Sequence, residues 1–207
     1  MRNEVAPVNI AGLEWSVAVA AMPGESESGD RHVVCPLRDG ALVAAIDGLG
    51  HGADAALAAR VAIDVLEQHA GQALTALFER CHEALRPTRG VTMSLATIST
   101  REHSVAWAGV GNVEGLVRRA LPTVPDERLV LRNGVVGSQL PALQPSVVTL
   151  GAGDILVFNT DGVAHEAASA VPLRGPLQSI ADAALESGRK RNDDALLLLV
   201  RYGRAES

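Results

Sequence analysis

Four acidic segments of the sequence carry residues that could bind a divalent cation. The segments are Ser28-Gly29-Asp30, Asp47-Gly48-Leu49-Gly50-His51-Gly52, Thr160-Asp161-Gly162 and Asp193-Asp194. In each of them an aspartate stands beside an apolar run that is typical of a β-strand. Carboxylates at strand ends can converge on one edge of a sandwich, where two like charges about 4 Å apart repel by about 4 kcal/mol at an effective dielectric of about 20. If these aspartates meet, a bound divalent cation is expected.

The donor types indicate which cation this is. All candidate ligands are oxygens, and the sequence has no cluster of Cys and His with the spacing of a zinc site, which favours Mg²⁺ or Mn²⁺. Gly48 has no side chain, so its carbonyl would be open to an ion bound at Asp47. Such a centre activates water and clamps a phosphoryl group, which predicts hydrolysis of a phosphate ester. Because a single Asp-Gly pair is ordinary turn material, the hypothesis depends on the ordered set.

The apolar runs predict the elements that must position these residues. Strands are expected over residues 13–21, 31–36, 41–46, 92–99, 104–110, 115–119, 129–131, 155–158 and 195–200. Helices are expected over residues 53–70, from about 72 to the residue before Pro87, and over residues 176–186. Their apolar stripes are, respectively, Leu57, Val61 and Val65; Leu74, Leu77, Phe78, Cys81 and Leu85; and Leu177, Ile180, Ala181 and Ala184.

The order of these elements predicts the fold class. Four strand candidates follow one another between residues 92 and 131 with no helix between them, whereas a doubly wound parallel sheet needs a crossover helix after nearly every strand. We therefore expect an α+β fold of two packed, mainly antiparallel β-sheets flanked by α-helices. No repeat or linker interrupts the 207 residues, so residues 1–207 are expected to form a single domain.

Composition excludes several classes of partner. With 18 Lys and Arg against 24 Asp and Glu the formal charge is −6, which argues against broad binding to nucleic acid or to anionic lipid. No apolar run approaches the length of a membrane span, and Met1 to Ala11 contain no apolar signal-peptide core. The two cysteines, Cys35 and Cys81, lie too far apart to suggest a disulfide framework. Together these features predict a cytoplasmic protein.

Taken in order, the four segments, with Gly109-Val110-Gly111-Asn112 and Gly151-Ala152-Gly153-Asp154, resemble the metal-dependent Ser/Thr protein phosphatases of the PPM (type 2C) class. The resemblance is to the bacterial branch that includes the SpoIIE and RsbU phosphatases, and within it to the stand-alone, RsbX-like phosphatases of the stressosome. It covers nearly the whole chain. It implies two packed antiparallel sheets flanked by helices, with two Mn²⁺ or Mg²⁺ ions in a cleft at one end, and no sensor or regulatory domain.

The resemblance also implies a role for each aspartate. Asp47 would bridge both metal ions, the Gly48 carbonyl would bind one of them, and Asp161 and Asp193 would complete the other. Asp30 would hold a metal directly or through water. Asp47, Asp161 and Asp193 are thus the expected catalytic residues. The implied substrates are phosphoserine and phosphothreonine on stressosome scaffold proteins of the RsbS and RsbR kind, whose dephosphorylation would act as negative feedback on stress signalling.

Several alternatives stay open from the sequence. The chain could be a catalytically inactive adaptor that keeps the fold and binds stressosome proteins, or the same centre could hydrolyse small phosphoesters. His51 could take part in catalysis, cap the following helix or lie exposed. Asp194 is expected to hold the loop or a water rather than a metal, and Arg31 is expected to be a structural charge rather than a phosphate ligand.

Overall fold

The computed structural model describes residue 10 and residues 12–203, and all structural statements below concern these residues. The strands are β1 (Leu13–Ala20), β2 (Asp30–Leu37), β3 (Gly40–Gly48), β4 (Val91–Ser99), β5 (Ser104–Val110), β6 (Glu114–Arg118), β7 (Glu127–Arg128), β8 (Ser146–Thr149), β9 (Ile155–Asn159) and β10 (Ala195–Tyr202). The helices are α1 (Gly52–His69), α2 (Leu74–Leu85), α3 (His165–Ser169) and α4 (Leu177–Gly188).

The strands form two five-stranded sheets in which every pair of neighbours is antiparallel. The first sheet has the order β1-β10-β9-β6-β7 and the second has the order β2-β3-β4-β5-β8. Helices α1 and α2 pack on the second sheet, and α4 packs on the first, with α3 beside it. The predicted fold class, an α+β sandwich of two antiparallel sheets between helices, is therefore confirmed.

Three apolar cores hold the four layers together. The central core lies between the sheets and includes Val43, Trp107 and Phe158. Another core joins the second sheet to α1 and α2, and the last joins the first sheet to α3 and α4. At roughly 25 cal/mol per Å² of buried apolar surface, these layers supply most of the driving force that holds the two sheets face to face. The aspartates at the strand ends are carried on this rigid frame.

The buried face of α1 differs from the predicted one. Leu57 is 50% exposed, and Val61 and Val65 are only partly buried. The residues that face the sheet are mainly alanines: Ala55, Ala56, Ala58, Ala59 and Ala62, with Leu66. Small side chains let the helix approach the sheet closely, so hydrophobic size is a poor guide to its orientation. In α2 and α4 the residues of the predicted stripes are buried, as expected.

Other differences concern short edge elements. The strand expected at residues 129–131 is instead β7, two residues long and ending at Arg128, because Leu129 turns inward to the central core. Strand β8 and helix α3 were not predicted, since they span only 4 and 5 residues and carry little periodicity. None of these differences moves an acidic segment.

Among the described residues, no helix has the length and apolarity needed to cross a membrane. The prediction that Met1 to Ala11 contain no signal peptide falls, except for Ile10, outside the residues that the structure describes.

Candidate metal centre

The predicted aspartates lie at the ends of strands from both sheets. Asp30 is the first residue of β2, and Asp47 is the last but one residue of β3. Asp30 and Asp47 are register partners across this antiparallel pair. Asp161 follows the end of β9 by two residues, and Asp193 immediately precedes Asp194 and the start of β10. The second sheet thus contributes two carboxylates and the first sheet contributes the others.

Hydrogen bonds between side chains join the two sheets at this edge. The hydroxyl of Thr160, after β9, donates to Oδ2 of the buried Asp30 at 2.6 Å, across 130 residues of sequence. Nδ2 of Asn112, after β5, donates to Oδ2 of Asp161 at 2.7 Å. Asn112 is also hydrogen-bonded to Asp47. Asp30 and Asp47 of the second sheet are therefore connected, through one polar side chain each, to the segment that carries Asp161.

The carboxylates act on one another electrostatically. Burial, followed by the Asp47 charge, raises the pKa of Asp30 to about 8, against the opposing effect of the Thr160 hydrogen bond. Burial, followed by the charges of Asp161 and Asp193, raises the pKa of Asp47 to about 7, and the Asn112 hydrogen bond opposes this. Burial also raises the pKa of Asp193, with Asp161 and Asp194 adding to it. The site thus concentrates negative charge where water solvates it poorly.

The chemistry of this donor set fits a hard divalent cation. Carboxylate and carbonyl oxygens are the donors that Mg²⁺ and Mn²⁺ prefer, and a positive charge relieves the penalty that raises the pKa of Asp30 and Asp47. In the described part of the chain no three His, Cys, Asp or Glu side chains form a ready-made metal-binding group. Asp30, Asp47, Asp161 and Asp193 are electrostatic neighbours, since each either raises the pKa of another carboxylate of the group by its charge or has its own pKa raised by one.

The glycines of the acidic segments are required by packing. A Cβ on Gly48 would lie 2.2 Å from the backbone oxygen of Ala55 in α1. A Cβ on Gly162 would lie 1.8 Å from the backbone oxygen of Asp194. Both contacts are far inside the distance at which carbon and oxygen repel, so a side chain at either position would push the neighbouring backbone away. Gly48 and Gly162 therefore set how closely α1 and the Asp193-Asp194 segment approach the site.

Asp194 holds the loop that precedes β2. Its carboxylate is buried and accepts hydrogen bonds from the backbone N–H groups of Met22, at 2.7 Å, and Gly29, at 2.6 Å. These two contacts fix both ends of the loop between β1 and β2, and hence the entry to Asp30. Both Asp194 oxygens are occupied by the protein, in agreement with the expectation that this residue holds the loop.

His51 lies at the rim, where its ring is paired with Glu25. Nδ1 of His51 is 2.6 Å from Oε1 of Glu25, and because a carboxylate only accepts hydrogen bonds, Nδ1 carries the proton. His51 occupies the N-cap position of α1, but its side chain makes no capping hydrogen bond. A protonated His51 lowers the pKa of Asp193, against the larger effect of burial. His51 is therefore exposed and close to the site, and it does not cap the helix.

Two cationic side chains support the backbone around the site. Nη1 of Arg31 donates to the carbonyls of Ser28 and Asp30, which agrees with a structural role. Nζ of Lys190 donates to the carbonyl of Asp161 at 2.7 Å. Both charges lie against peptide oxygens of the acidic segments.

Sequence reasoning missed two side chains that connect the aspartates. Asn112 ends the motif Gly109-Val110-Gly111-Asn112, whose sequence alone assigns no role to the amide. Thr92 gives no signal in the sequence, because it is one of several hydroxyl residues in β4. Thr92 stands opposite Asp47 in the β3–β4 register and donates its hydroxyl proton to Oδ1 of Asn112. Only the antiparallel register brings these two residues together.

Comparisons with known proteins agree with this fold. The model of the family described as Stage II sporulation protein E (SpoIIE) matches residues 38–203. Phosphoserine phosphatase RsbX of Bacillus subtilis (strain 168) is 23% identical over 137 residues, which cover 66% of this chain and 64% of RsbX. The chain thus matches slightly less than two thirds of that relative's length.

Two solved structures share the architecture over nearly its full extent. A chain from the structural study of the bacterial stressosome, described as a modular system adapted to control secondary messenger signalling, superposes with a TM-score of 0.84 and 28% identity. The match covers 91% of this chain and 99% of that one. The crystal structure of RsbX in complex with magnesium superposes with a TM-score of 0.82 and 20% identity, over 95% and 98% of the two chains. This second similarity concerns the fold.

Proposed function

The chain belongs to the SpoIIE family of PPM-type phosphatase domains, and from that premise we propose that it is a divalent-cation-dependent protein phosphatase acting on phosphoserine and phosphothreonine. The observation that carries the proposal is the group of aspartates at one edge of both sheets, connected by Thr160 and Asn112. Desolvation and the repulsion between carboxylates at Asp30 and Asp47 destabilise the folded protein. A protein with only a scaffold role has no need of such an arrangement. The same arrangement suits the binding of cations that act on a phosphate ester.

The residues that would hold two Mn²⁺ or Mg²⁺ ions are Asp30, Asp47, the carbonyl of Gly48, Asp161 and Asp193. When bound, such ions activate a water molecule as nucleophile and neutralise the phosphoryl oxygens, so no covalent phosphoenzyme is needed. Magnesium in the RsbX structure supports this choice of cation, because RsbX has the same fold. Asp47, Asp161 and Asp193 are the residues on which we expect catalysis to depend most strongly.

The other residues of the site orient these ligands. Thr160 holds one oxygen of Asp30, and the backbone N–H of Asp194 donates to Oδ1 of Asp193 at 2.9 Å. In the described part of the chain, the second oxygen of each of these two carboxylates has no hydrogen-bond donor. A carboxylate fixed through one oxygen presents the other in a defined direction, which reduces the entropy lost when a cation binds.

The proposed substrates are phosphorylated stressosome scaffold proteins of the RsbS and RsbR kind. Support comes from the similarity to RsbX and from the stressosome chain that matches 91% of this chain. In this role the protein would reset the scaffold after a stress signal. Two competing functions, an inactive adaptor and a phosphatase of small metabolites, make different predictions in the experiment below.

The experiment measures phosphate release from phosphorylated RsbS-like and RsbR-like proteins and from small phosphoesters. We expect release from the proteins with Mn²⁺ or Mg²⁺, none with a chelator, and a loss of about 100-fold or more for Asp161→Asn. Asp182→Asn is the matched control, because Asp182 lies exposed on α4 and pairs with Gln178. Equal release in all samples would contradict the proposal. Binding without release would indicate the adaptor, and a preference for small phosphoesters would indicate the metabolite phosphatase.

A further inference from the structure

Asn112 occupies a junction between the two sheets that the proposed roles of the aspartates do not explain. It lies in the short turn between β5, which ends at Val110 in the second sheet, and β6, which begins at Glu114 in the first. The chain crosses from one sheet to the other at this turn. Its side chain therefore lies where Asp47 of the second sheet and Asp161 of the first approach each other.

The amide of Asn112 has a defined orientation. Its Nδ2 donates to Oδ2 of Asp161 at 2.7 Å, and Asn112 is also hydrogen-bonded to Asp47. Its Oδ1 accepts the hydroxyl proton of Thr92. Because an amide donates only through nitrogen and a carboxylate only accepts, the amide nitrogen must face Asp161 and Asp47, and the Thr92 hydroxyl bonded to Oδ1 holds the amide in that orientation. Without Thr92, the exposed amide would be held by the two carboxylates alone.

Packing also holds Asn112 and Thr92 next to each other. Thr92 is 8% exposed and stands opposite Asp47 in the β3–β4 register, with its Oγ1 3.5 Å from Oδ2 of Asp47. Gly111, which precedes Asn112, has φ of 94°, and a Cβ there would lie 2.3 Å from Cβ of Thr92. The glycine thus lets the turn close directly onto Thr92. Asn112 and Thr92 are held together by backbone geometry as well as by their hydrogen bond.

The chemical type of residue 112 also matters for charge. A neutral amide supplies hydrogen-bond donors to two carboxylates without adding to the negative charge at the site. The hydrogen bond from Asn112 occupies Oδ2 of Asp161, so Oδ1 is the oxygen that stays free of protein donors within the described residues. Outer hydrogen bonds of this kind commonly change metal affinity by 10–100-fold, i.e. on the order of 1.4–2.7 kcal/mol.

We propose that Asn112, oriented by Thr92, is a positioning residue that sets the relative placement of Asp47 and Asp161 and thereby the affinity of the site for divalent cations. The inference rests on the proposed function for its biological meaning, but it concerns cation binding and not the reaction itself. Asn112 acts through the two carboxylates. Its removal should weaken cation binding and leave turnover largely recoverable at saturating cation.

The test is calorimetric titration of the metal-free full chain with Mn²⁺ and with Mg²⁺, without substrate. We expect Asn112→Leu, which keeps the approximate shape and removes the donors, to raise the dissociation constant by about 10-fold or more. Thr92→Val keeps the shape of Thr92 and removes its hydroxyl, and should raise the constant by a smaller factor of about 3. Thr97→Val is the matched control in the same strand, and we expect a change of less than about 2-fold.

Phosphate release against cation concentration is the second readout. In both Asn112→Leu and Thr92→Val the half-saturating cation concentration should rise by the same factor as the dissociation constant. A purely structural role would lower the unfolding temperature and leave the cation affinity of the folded protein unchanged, and that result would overturn the inference. If Asn112→Leu does not fold, wild-type cation affinity in Thr92→Val would overturn it equally.

The two proposals fail in different ways. A wild-type protein that binds Mn²⁺ in an Asn112-dependent manner and releases no phosphate would contradict the proposed function and support the positioning role. A wild-type protein that releases phosphate, with Asn112→Leu and Thr92→Val indistinguishable from it in cation affinity, would contradict the positioning role alone.

Discussion

Asp30 and Asp47 stand directly opposite each other at the paired ends of β2 and β3. Asp30 is buried and Asp47 is partly buried, and desolvation together with neighbouring carboxylates raises the pKa of Asp30 to about 8 and of Asp47 to about 7. Two acidic residues in register at the edge of a sheet oppose folding when both are charged. The pair therefore links the stability of the protein to protons and to cations.

The first prediction concerns the pH dependence of stability without cations. The folded-state pKa values of Asp30 and Asp47 are above their ordinary value of 3.8, so the folded protein binds these protons more tightly than the unfolded chain does. Their contribution to stability is thus present below about pH 4 and is lost progressively as the pH rises to about 8. In the presence of a chelator, the unfolding temperature should fall between about pH 5 and about pH 8.

Asp47→Asn isolates this contribution from the other titrating groups. The variant removes one charge of the pair, so at about pH 8 its metal-free form should unfold at a higher temperature than the wild type. The difference should shrink towards about pH 5, where the wild-type pair holds its protons. A wild-type unfolding temperature with the same pH dependence over this interval as that of Asp47→Asn would contradict the assignment.

The second prediction separates Asp193 from its neighbour Asp194. Asp194→Ala removes a buried carboxylate that accepts two backbone hydrogen bonds, so we expect a loss of about 3 kcal/mol in the free energy of unfolding. It should also increase proteolysis in the loop between β1 and β2. Asp193→Ala should change stability by less than about 1 kcal/mol while abolishing phosphate release. Chemical unfolding and phosphate release should be measured on both variants. A larger stability loss for Asp193→Ala than for Asp194→Ala would contradict this prediction.

The third prediction concerns the glycine after Asp161. Gly162→Ala places a Cβ 1.8 Å from the Asp194 carbonyl oxygen, and we expect it to cost about 3 kcal/mol or more of stability. Gly71→Ala is the matched control, because a Cβ at Gly71, between α1 and α2, meets nothing within 4 Å. That substitution should change the free energy of unfolding by about 1 kcal/mol at most. Similar unfolding curves for both variants would show that the packing argument is wrong.

The fourth prediction is that the motif Gly151-Ala152-Gly153-Asp154 contributes to the stability of the protein and not to cation binding. The Asp154 carboxylate accepts hydrogen bonds from the backbone N–H groups of Ala120 and Gly151, and from Arg119 at 2.9 Å. The Asp154 and Arg119 side chains are 5% and 9% exposed, so Asp154→Ala removes the buried partner of a buried charge and the acceptor of two backbone N–H groups, and should cost about 3–5 kcal/mol. Glu127 pairs with the same arginine from an exposed position, and Glu127→Ala should cost less than about 1 kcal/mol.

The cation requirement provides the control for this assignment. Because no contact of Asp154 reaches the metal-site aspartates among the described residues, the folded fraction of Asp154→Ala should keep the wild-type half-saturating Mn²⁺ concentration. A shift of about 10-fold or more in that concentration would instead make Asp154 part of the cation site.

Much of the fold could be predicted from the sequence, because the apolar periodicity is strong where elements are long. The two-sheet architecture followed from successive strands without intervening helices, and the stripe of α2 from Leu74 to Leu85 was correct. The orientation of α1 was wrong, because its close contact with the sheet uses alanine, which hydropathy ranks below Leu57. Strand β8 and helix α3 are held by tertiary contacts that a local pattern does not contain.

The candidate site likewise has residues that the sequence reveals and residues that only the structure reveals. Aspartates beside strands are visible in the sequence because each is adjacent to its own apolar run. The contact of Thr92 with Asn112, and of Thr160 with Asp30, depends on which strands pair and where the chain changes sheets. Such information is carried by the register between distant segments, so the supporting side chains emerge only with the structure.

The most direct test of a shared cation centre is anomalous diffraction from crystals of this chain grown with Mn²⁺, collected near the manganese absorption edge. We predict anomalous peaks at the joined edge of the two sheets, within about 2.0–2.3 Å of carboxylate oxygens of Asp47 and of Asp161 or Asp193. Peaks elsewhere on the protein, with these three aspartates free of manganese at saturating Mn²⁺, would contradict the account.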